Sequence, residues 1–270
     1  MDGFDAEEMM GWVREIVSRG PRRPGSEADL AVETMLAERL RGFGFEDVRL
    51  EPISIKAWHE GGAALEAAGP GGSGALRPEV QAIPYAVATG EGGVEGPLVP
   101  AEAGGDWRGK VVVAEIGFPP LDTKLLLNIA LGSYDPDDSL KLVDHPATWV
   151  RLGWHHYREA VRQEAAGFVG VLKDQPGGTC RMFAPYGFRE ADILDKPVPG
   201  AWVGRSDGEA LLRLARDGGA RARLTTGGSL VASETHNVVA ELPGRGLDEE
   251  AFVLSCHHDS PLESPVEDAS

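Results

Sequence analysis

Residues 251–260 read AFVLSCHHDS, and VEDAS follows at 266–270. The run from Ala251 to Cys256 has the length and apolar content of a buried strand. His257 would then emerge at the carboxyl end of that strand, where open α/β sheets place their ligands. Asp259, two residues on, can accept a hydrogen bond from one ring nitrogen of His257, which fixes the tautomer and directs the other nitrogen to a cation such as Zn²⁺. Glu267 and Asp268 each offer two oxygens and one negative charge, the chemistry that bridges two cations. A catalytic zinc takes about three protein ligands and keeps a position open for water, so this set is incomplete by itself.

Working outward, Asn237 to Leu242 (NVVAEL) is expected to be the preceding strand, with Pro243-Gly244-Arg245-Gly246 as the turn between them. Upstream, Lys110 to Ala114 and the GFVGVL run at 167–172 are predicted as buried strands, Val198 to Val203 as extended, and 220–225 as a short alternating strand. Helices are predicted over 155–166 and from Asp207 to Gly218-Gly219. The amino-terminal part gives a helix over 5–18, stopped by Gly20-Pro21, and a second helix that Ser26 and Asp29 can cap. Val32, Leu36, Leu40 and Phe43 form its apolar stripe. A strand through Val48, Leu50, Ile53 and Ile55 follows, and then the composition shifts from Gly61 to about Pro97 toward Gly, Ala and Pro, which reads as a domain boundary with short extended pieces such as 83–89. The fold class is α/β.

Lys plus Arg number 26 and Asp plus Glu 43, a net charge of −17 over 270 residues. A surface that tracks phosphates needs a basic face, and the one basic cluster, Arg19, Arg22 and Arg23, sits among carboxylates, so nucleic acid is excluded as a partner. The length exceeds the usual single-domain mode, which leads us to expect two domains. The first ten residues, MDGFDAEEMM, carry four carboxylates where a signal peptide carries Lys or Arg, and no apolar run reaches a membrane span, so a cytoplasmic protein without membrane contact is expected. Cys180 and Cys256 are too few for a disulfide framework.

The run Thr235-His236-Asn237-Val238-Val239-Ala240-Glu241-Leu242-Pro243-Gly244, followed by AFVLSCHHDS and VEDAS, resembles the zinc aminopeptidases and glutamate-carboxypeptidase-like enzymes of metallopeptidase family 28. Gly20-Pro21-Arg22-Arg23-Pro24-Gly25-Ser26 before a helix, then Gly42-Phe43-Gly44 and a strand, looks like the start of the same catalytic domain. Residues 61–226 resemble a protease-associated domain through Arg108-Gly109-Lys110-Val111-Val112-Val113, Ala165-Ala166-Gly167-Phe168-Val169-Gly170-Val171, and Pro199-Gly200-Ala201-Trp202-Val203-Gly204 before Asp207-Gly208. The resemblance implies an incomplete zinc-exopeptidase α/β sheet domain, 1–60 and 227–270, interrupted by a β-rich insert over 61–226. It also implies an amino-terminal fragment, since the family's general-base Glu, further acidic ligands and last His have no counterpart before Ser270.

By that resemblance His257 is a zinc ligand and Asp259, counted with the catalytic residues, its orienting partner. The bridging carboxylate is Glu267, where the family has Asp, or Asp268. The implied function is metal-dependent hydrolysis of terminal peptide bonds in a peptide substrate, with two zinc ions in the complete enzyme and this chain inactive alone. The alternative is a non-catalytic binding protein on a degenerate peptidase fold. His155-His156-Tyr157 are expected at the surface or as cap residues, His236 at a strand edge, and Cys256 in the core. Ser260 lacks the Gly-x-Ser-x-Gly elbow of a hydrolase serine. The stretch 120–150 is longer than the protease-associated pattern.

Overall fold

The computed structural model describes residues 5–117, 120–121, 145–146, 155–182, 197–244, 246 and 251–260. Within them the chain runs through helices α1 (Ala6–Ser18) and α2 (Glu27–Gly42), then strands β1 (Glu46–Ala68), β2 (Val80–Ala82), β3 (Val94–Pro100) and β4 (Val111–Ile116). The short strands β5 (Pro120–Leu121) and β6 (His145–Pro146) pair with each other. Helix α3 (His155–Arg162), β7 (Gly167–Leu172), β8 (Gly200–Gly204), α4 (Arg205–Asp217) and β9 (Arg221–Glu241) follow. This is a mixed α/β fold, and its seven-stranded sheet has the order β1-β9-β3-β4-β7-β8-β2. Two compact units divide the chain: Met1–His59 with Leu230–Ser270, and Glu60–Ser229.

In the second unit β3, β4, β7 and β8 are parallel neighbours, with β2 antiparallel to β8 and β9 antiparallel to β3. Parallel strands are covered on both faces and therefore read as unbroken apolar runs. The pleat sends Val112, Ala114, Ile116 and Phe168 into one cluster with Tyr157 and Trp202. It sends Val111, Val113, Val169 and Val171 into the other, with Leu211 and Leu212 of α4. Gly170 is required by that packing, because a Cβ there would lie 2.3 Å from Cζ3 of Trp202.

In the first unit, Asp5 caps α1 by accepting from the Glu7 amide at 2.9 Å. Arg39 of α2 pairs with Glu15 of α1 and lies over the Trp12 ring, 5.2 Å from its centroid. Ser26 caps α2, and the residues that α2 buries are Asp29, Val32, Glu33, Met35 and Ala37. The predicted stripe is thus rotated: Phe43 is exposed, and two carboxylates occupy the inward face. No helix among the described residues is long and apolar enough to cross a membrane.

Several sequence expectations need correction. The strand expected through Ile55 runs on past the glycines at 61 and 62 to Ala68. A Cβ on Gly61 would fall 2.4 Å from the Gly227 carbonyl carbon, so glycine here permits close approach of backbone and leaves the strand intact. The strands expected at 220–225 and 237–242 are one strand, β9. The extended piece expected over 83–89 is replaced by β2, ending at Ala82, and a turn after it. Tyr157 is fully buried, its hydroxyl donating to the Val198 carbonyl at 3.0 Å. Residues 251–256 form no strand. Phe252 and Leu254 are both 97% exposed and Cys256 is exposed. A strand requires a partner for its peptide groups, and no described segment pairs with this one. The 120–150 stretch lies, except for the two short strands, outside the described residues.

Candidate metal centre

Asp29 and Glu33 stand four residues apart, so a helical turn puts both carboxylates on one face of α2. Both are buried, and a buried carboxylate requires donors. Oδ2 of Asp29 accepts from the Gly25 amide at 2.8 Å and faces the Thr235 hydroxyl at 2.9 Å. Oδ1 accepts from Nδ1 of His258 at 3.1 Å. Oε1 of Glu33 accepts from the His236 amide at 2.7 Å and faces the same Thr235 hydroxyl at 2.8 Å. Oε2 accepts from Nδ1 of His236 at 2.7 Å. A hydroxyl has one proton to give, so Thr235 is shared between the two carboxylates.

The two histidines balance this charge. His258 directs Nδ1 at Asp29 and Nε2 at the His236 carbonyl oxygen, 3.2 Å away. Both targets are acceptors, so both ring nitrogens donate and the ring is held as an imidazolium. The hydrogen bond to Asp29 raises the His258 pKa above its ordinary value against the opposing effect of burial. For Asp29, burial pushes the carboxyl up, but hydrogen bonds from His258, Gly25 and Thr235 prevail and hold it below its ordinary value. The hydrogen bond to Glu33 likewise raises His236.

Residues 257–260 alternate between the two sides of the backbone. The side chains of His257 and Asp259 are 59% and 44% exposed, and Nδ1 of His257 lies 2.9 Å from Oδ1 of Asp259. His258 and Ser260 turn inward. Nε of Arg22, a fully buried residue, donates to the His258 carbonyl at 2.8 Å. The Arg22 amide donates to Oγ of Ser260 at 2.8 Å, and the Ser260 amide donates to the Arg22 carbonyl at 2.8 Å. Ser260 is therefore a structural contact of the Arg22 backbone.

Of the residues singled out in the sequence, His257 and Asp259 come together, while Glu267 and Asp268 lie outside the described residues. Sequence reasoning missed Glu33, the inward role of His258, and the burial of Arg22. It assigned Asp29 only to the helix cap and His236 only to a strand edge. The signal available was the pair of acids at 29 and 33 flanking Val32 at core-facing helical positions.

Zinc ligation needs a neutral imidazole with one nitrogen directed at the metal and the other held by an acceptor. His257 meets the second condition, since its Nδ1 lies 2.9 Å from Oδ1 of Asp259. A second grouping, Asp29, Glu33 and His258, brings its ligand atoms within 4.8 Å of one another. Each of its carboxylate oxygens already accepts a hydrogen bond, and both His258 nitrogens already donate.

No protein-family model matches the chain, and no curated protein matches it. Solved structures do. The aminopeptidase from Aneurinibacillus sp. strain AM-1 aligns over 90% of this chain and 49% of its own, with a TM-score of 0.56 and 18% identity. A peptidase M28 precursor from Shewanella amazonensis SB2B aligns over 86% and 49%, with a TM-score of 0.61 and 17% identity. BSAP, a zinc aminopeptidase from Bacillus subtilis, aligns over 91% and 49%, with a TM-score of 0.59 and 15% identity. The chain thus shares the fold of these metallopeptidases and spans about half of their length.

Proposed function

We propose that this chain contributes part of the metal centre of a zinc-dependent exopeptidase of the aminopeptidase type, acting on terminal peptide bonds of a peptide substrate. The observation that carries the reading is the His257–Asp259 pair, 2.9 Å apart and turned outward from a backbone held on its other side. The shared fold of zinc aminopeptidases supports it. Bound zinc would polarise the scissile carbonyl and lower the pKa of a coordinated water. This chain's own residues present Nε2 of His257 and, through the Asp259 carboxylate, set its tautomer and raise its basicity. Glu267 or Asp268 would supply a further carboxylate ligand, and residues 61–226 would form a protease-associated insert that does no chemistry.

One imidazole and an acidic pair are too few donors for two tightly held cations. Zinc titration by calorimetry should therefore show weak binding that is lost in His257→Ala, without turnover of aminoacyl substrates by this chain alone. Zinc binding indifferent to His257→Ala would refute the metal-centre reading and favour a non-catalytic binding protein on a peptidase fold.

A further inference from the structure

The segment 257–260 has no strand ladder to hold it, yet its side chains alternate strictly between outward and inward. That regularity has a source on the inner side alone. The His258 ring is tied at both nitrogens, to Asp29 at 3.1 Å and to the His236 carbonyl at 3.2 Å. Arg22 grips the next peptide groups at three points: the His258 carbonyl, the Ser260 amide and the Ser260 hydroxyl, each at 2.8 Å. The two inward residues, His258 and Ser260, are thus pinned, and the residues flanking His258, numbers 257 and 259, project the other way.

Resting on the metal-centre reading above, we propose that Asp29, His258 and Arg22 are positioning residues that fix the backbone of 257–260 so that His257 meets Asp259 in one tautomer and presents Nε2 to zinc. They touch neither metal nor substrate in this scheme. They act through the peptide groups on either side of the ligand, as outer partners of metal sites do when they orient the residues that bind. An exposed His-x-Asp pair on an unpinned segment would sample many rotamers and lose part of its zinc affinity to that disorder.

Imidazole ¹⁵N shifts of His257, with the ring neutral, and the dissociation constant for zinc alone test this in the full chain. The wild type should show one His257 tautomer, protonated at Nδ1. His258→Leu should show averaged tautomers and zinc binding weaker by about 10- to 100-fold, the usual cost of losing an outer partner. His258→Gln, which keeps one donor toward Asp29, should recover part of both. If His258→Leu does not fold, Ser260→Ala, which removes one grip of Arg22, should shift both readouts in the same direction by less. A folded variant with the wild-type tautomer and affinity overturns the inference, while the metal-centre reading survives provided that His257→Ala abolishes zinc binding. If zinc binding is insensitive to His257→Ala but lost in His258→Leu, the cation sits on Asp29, Glu33 and His258 and the inference is overturned. If the tautomer responds and zinc binding depends on neither His257 nor His258, the positioning of the ring stands and the metal-centre reading fails.

Discussion

Replacing Asp29 by alanine is the severest test of the buried network, because that carboxylate joins three separate segments of the first unit. The substitution removes the hydrogen bond from His258 at 3.1 Å, that from the Gly25 amide at 2.8 Å and the contact with Thr235 at 2.9 Å. A hydrogen bond to a charged group contributes about 1.5–3 kcal/mol and an ordinary one about 1 kcal/mol. All three reach the same charged carboxylate, so their simple sum, about 4.5–9 kcal/mol, is an upper bound for bonds that share one group. Removing one partner of a buried ion pair independently suggests about 3–5 kcal/mol. Asp29→Asn should cost less, since its amide oxygen still accepts from His258.

The cost should also depend on pH in a defined way. The Asp29 carboxyl is lowered from 3.8, so its contribution is present above that value and is lost as pH falls through the lower folded pKa. His258 is raised from 6.5, so its contribution is fully present below that value and is lost as pH rises through the higher folded pKa. The difference between wild type and Asp29→Ala should peak between pH 3.8 and 6.5 and shrink toward both extremes. With two units in one chain a single unfolding free energy is ill-defined, so hydrogen exchange of peptides from α2 is the suitable assay. At 1.4 kcal/mol per decade, the expected loss is about two to almost four decades of protection. A loss below about 1 kcal/mol near pH 5.5, or a difference that is flat with pH, would refute a buried charged network at this position.

Gly170→Ala should destabilise the second unit by about 1–3 kcal/mol or prevent its folding, because the added methyl enters the Trp202 ring; thermal unfolding monitored by circular dichroism measures it. Asp259→Asn should weaken zinc binding without abolishing it, whereas His257→Ala should abolish it, and calorimetry separates the two. Glu33→Gln should lower the His236 pKa, since the hydrogen bond to Glu33 is what raises it, and titration of that ring by NMR shows the shift directly. An unchanged His236 titration would mean that the Glu33 contact is absent in solution.

The second unit was largely legible because its strands are buried on both faces. Runs such as GFVGVL at 167–172 have only one economical reading when Gly and helical periods bracket them, and β7 spans those same residues. The first unit was less so, because its organising contacts are polar and distant in sequence. Asp29 meets residues more than two hundred positions away, and nothing local to 26–33 distinguishes a buried acid from a helix-capping one. Local pattern also misread 251–256: six residues of apolar and small type satisfy the strand template, but a template says nothing of whether a partner strand lies alongside. His257 and Asp259 were recoverable because their relation is local, two residues apart along one backbone.

The choice of a charged network beneath the ligand segment follows from that same lack of a ladder. Apolar residues in place of Asp29, His258 and Arg22 would bury comparable surface and avoid the desolvation of three ions, so stability alone does not call for the charges. They would leave the His258 carbonyl without the Arg22 guanidinium, however, and a buried peptide group without a partner costs about 1–3 kcal/mol. In a strand the neighbouring chain satisfies such groups and fixes their direction together. Here Arg22 does both, with its guanidinium for the carbonyl and its own peptide for the Ser260 amide, and Asp29 holds the intervening side chain. The direction in which His257 points is then set by hydrogen bonds that have angles, which apolar packing lacks, and a metal ligand depends on direction more than on stability.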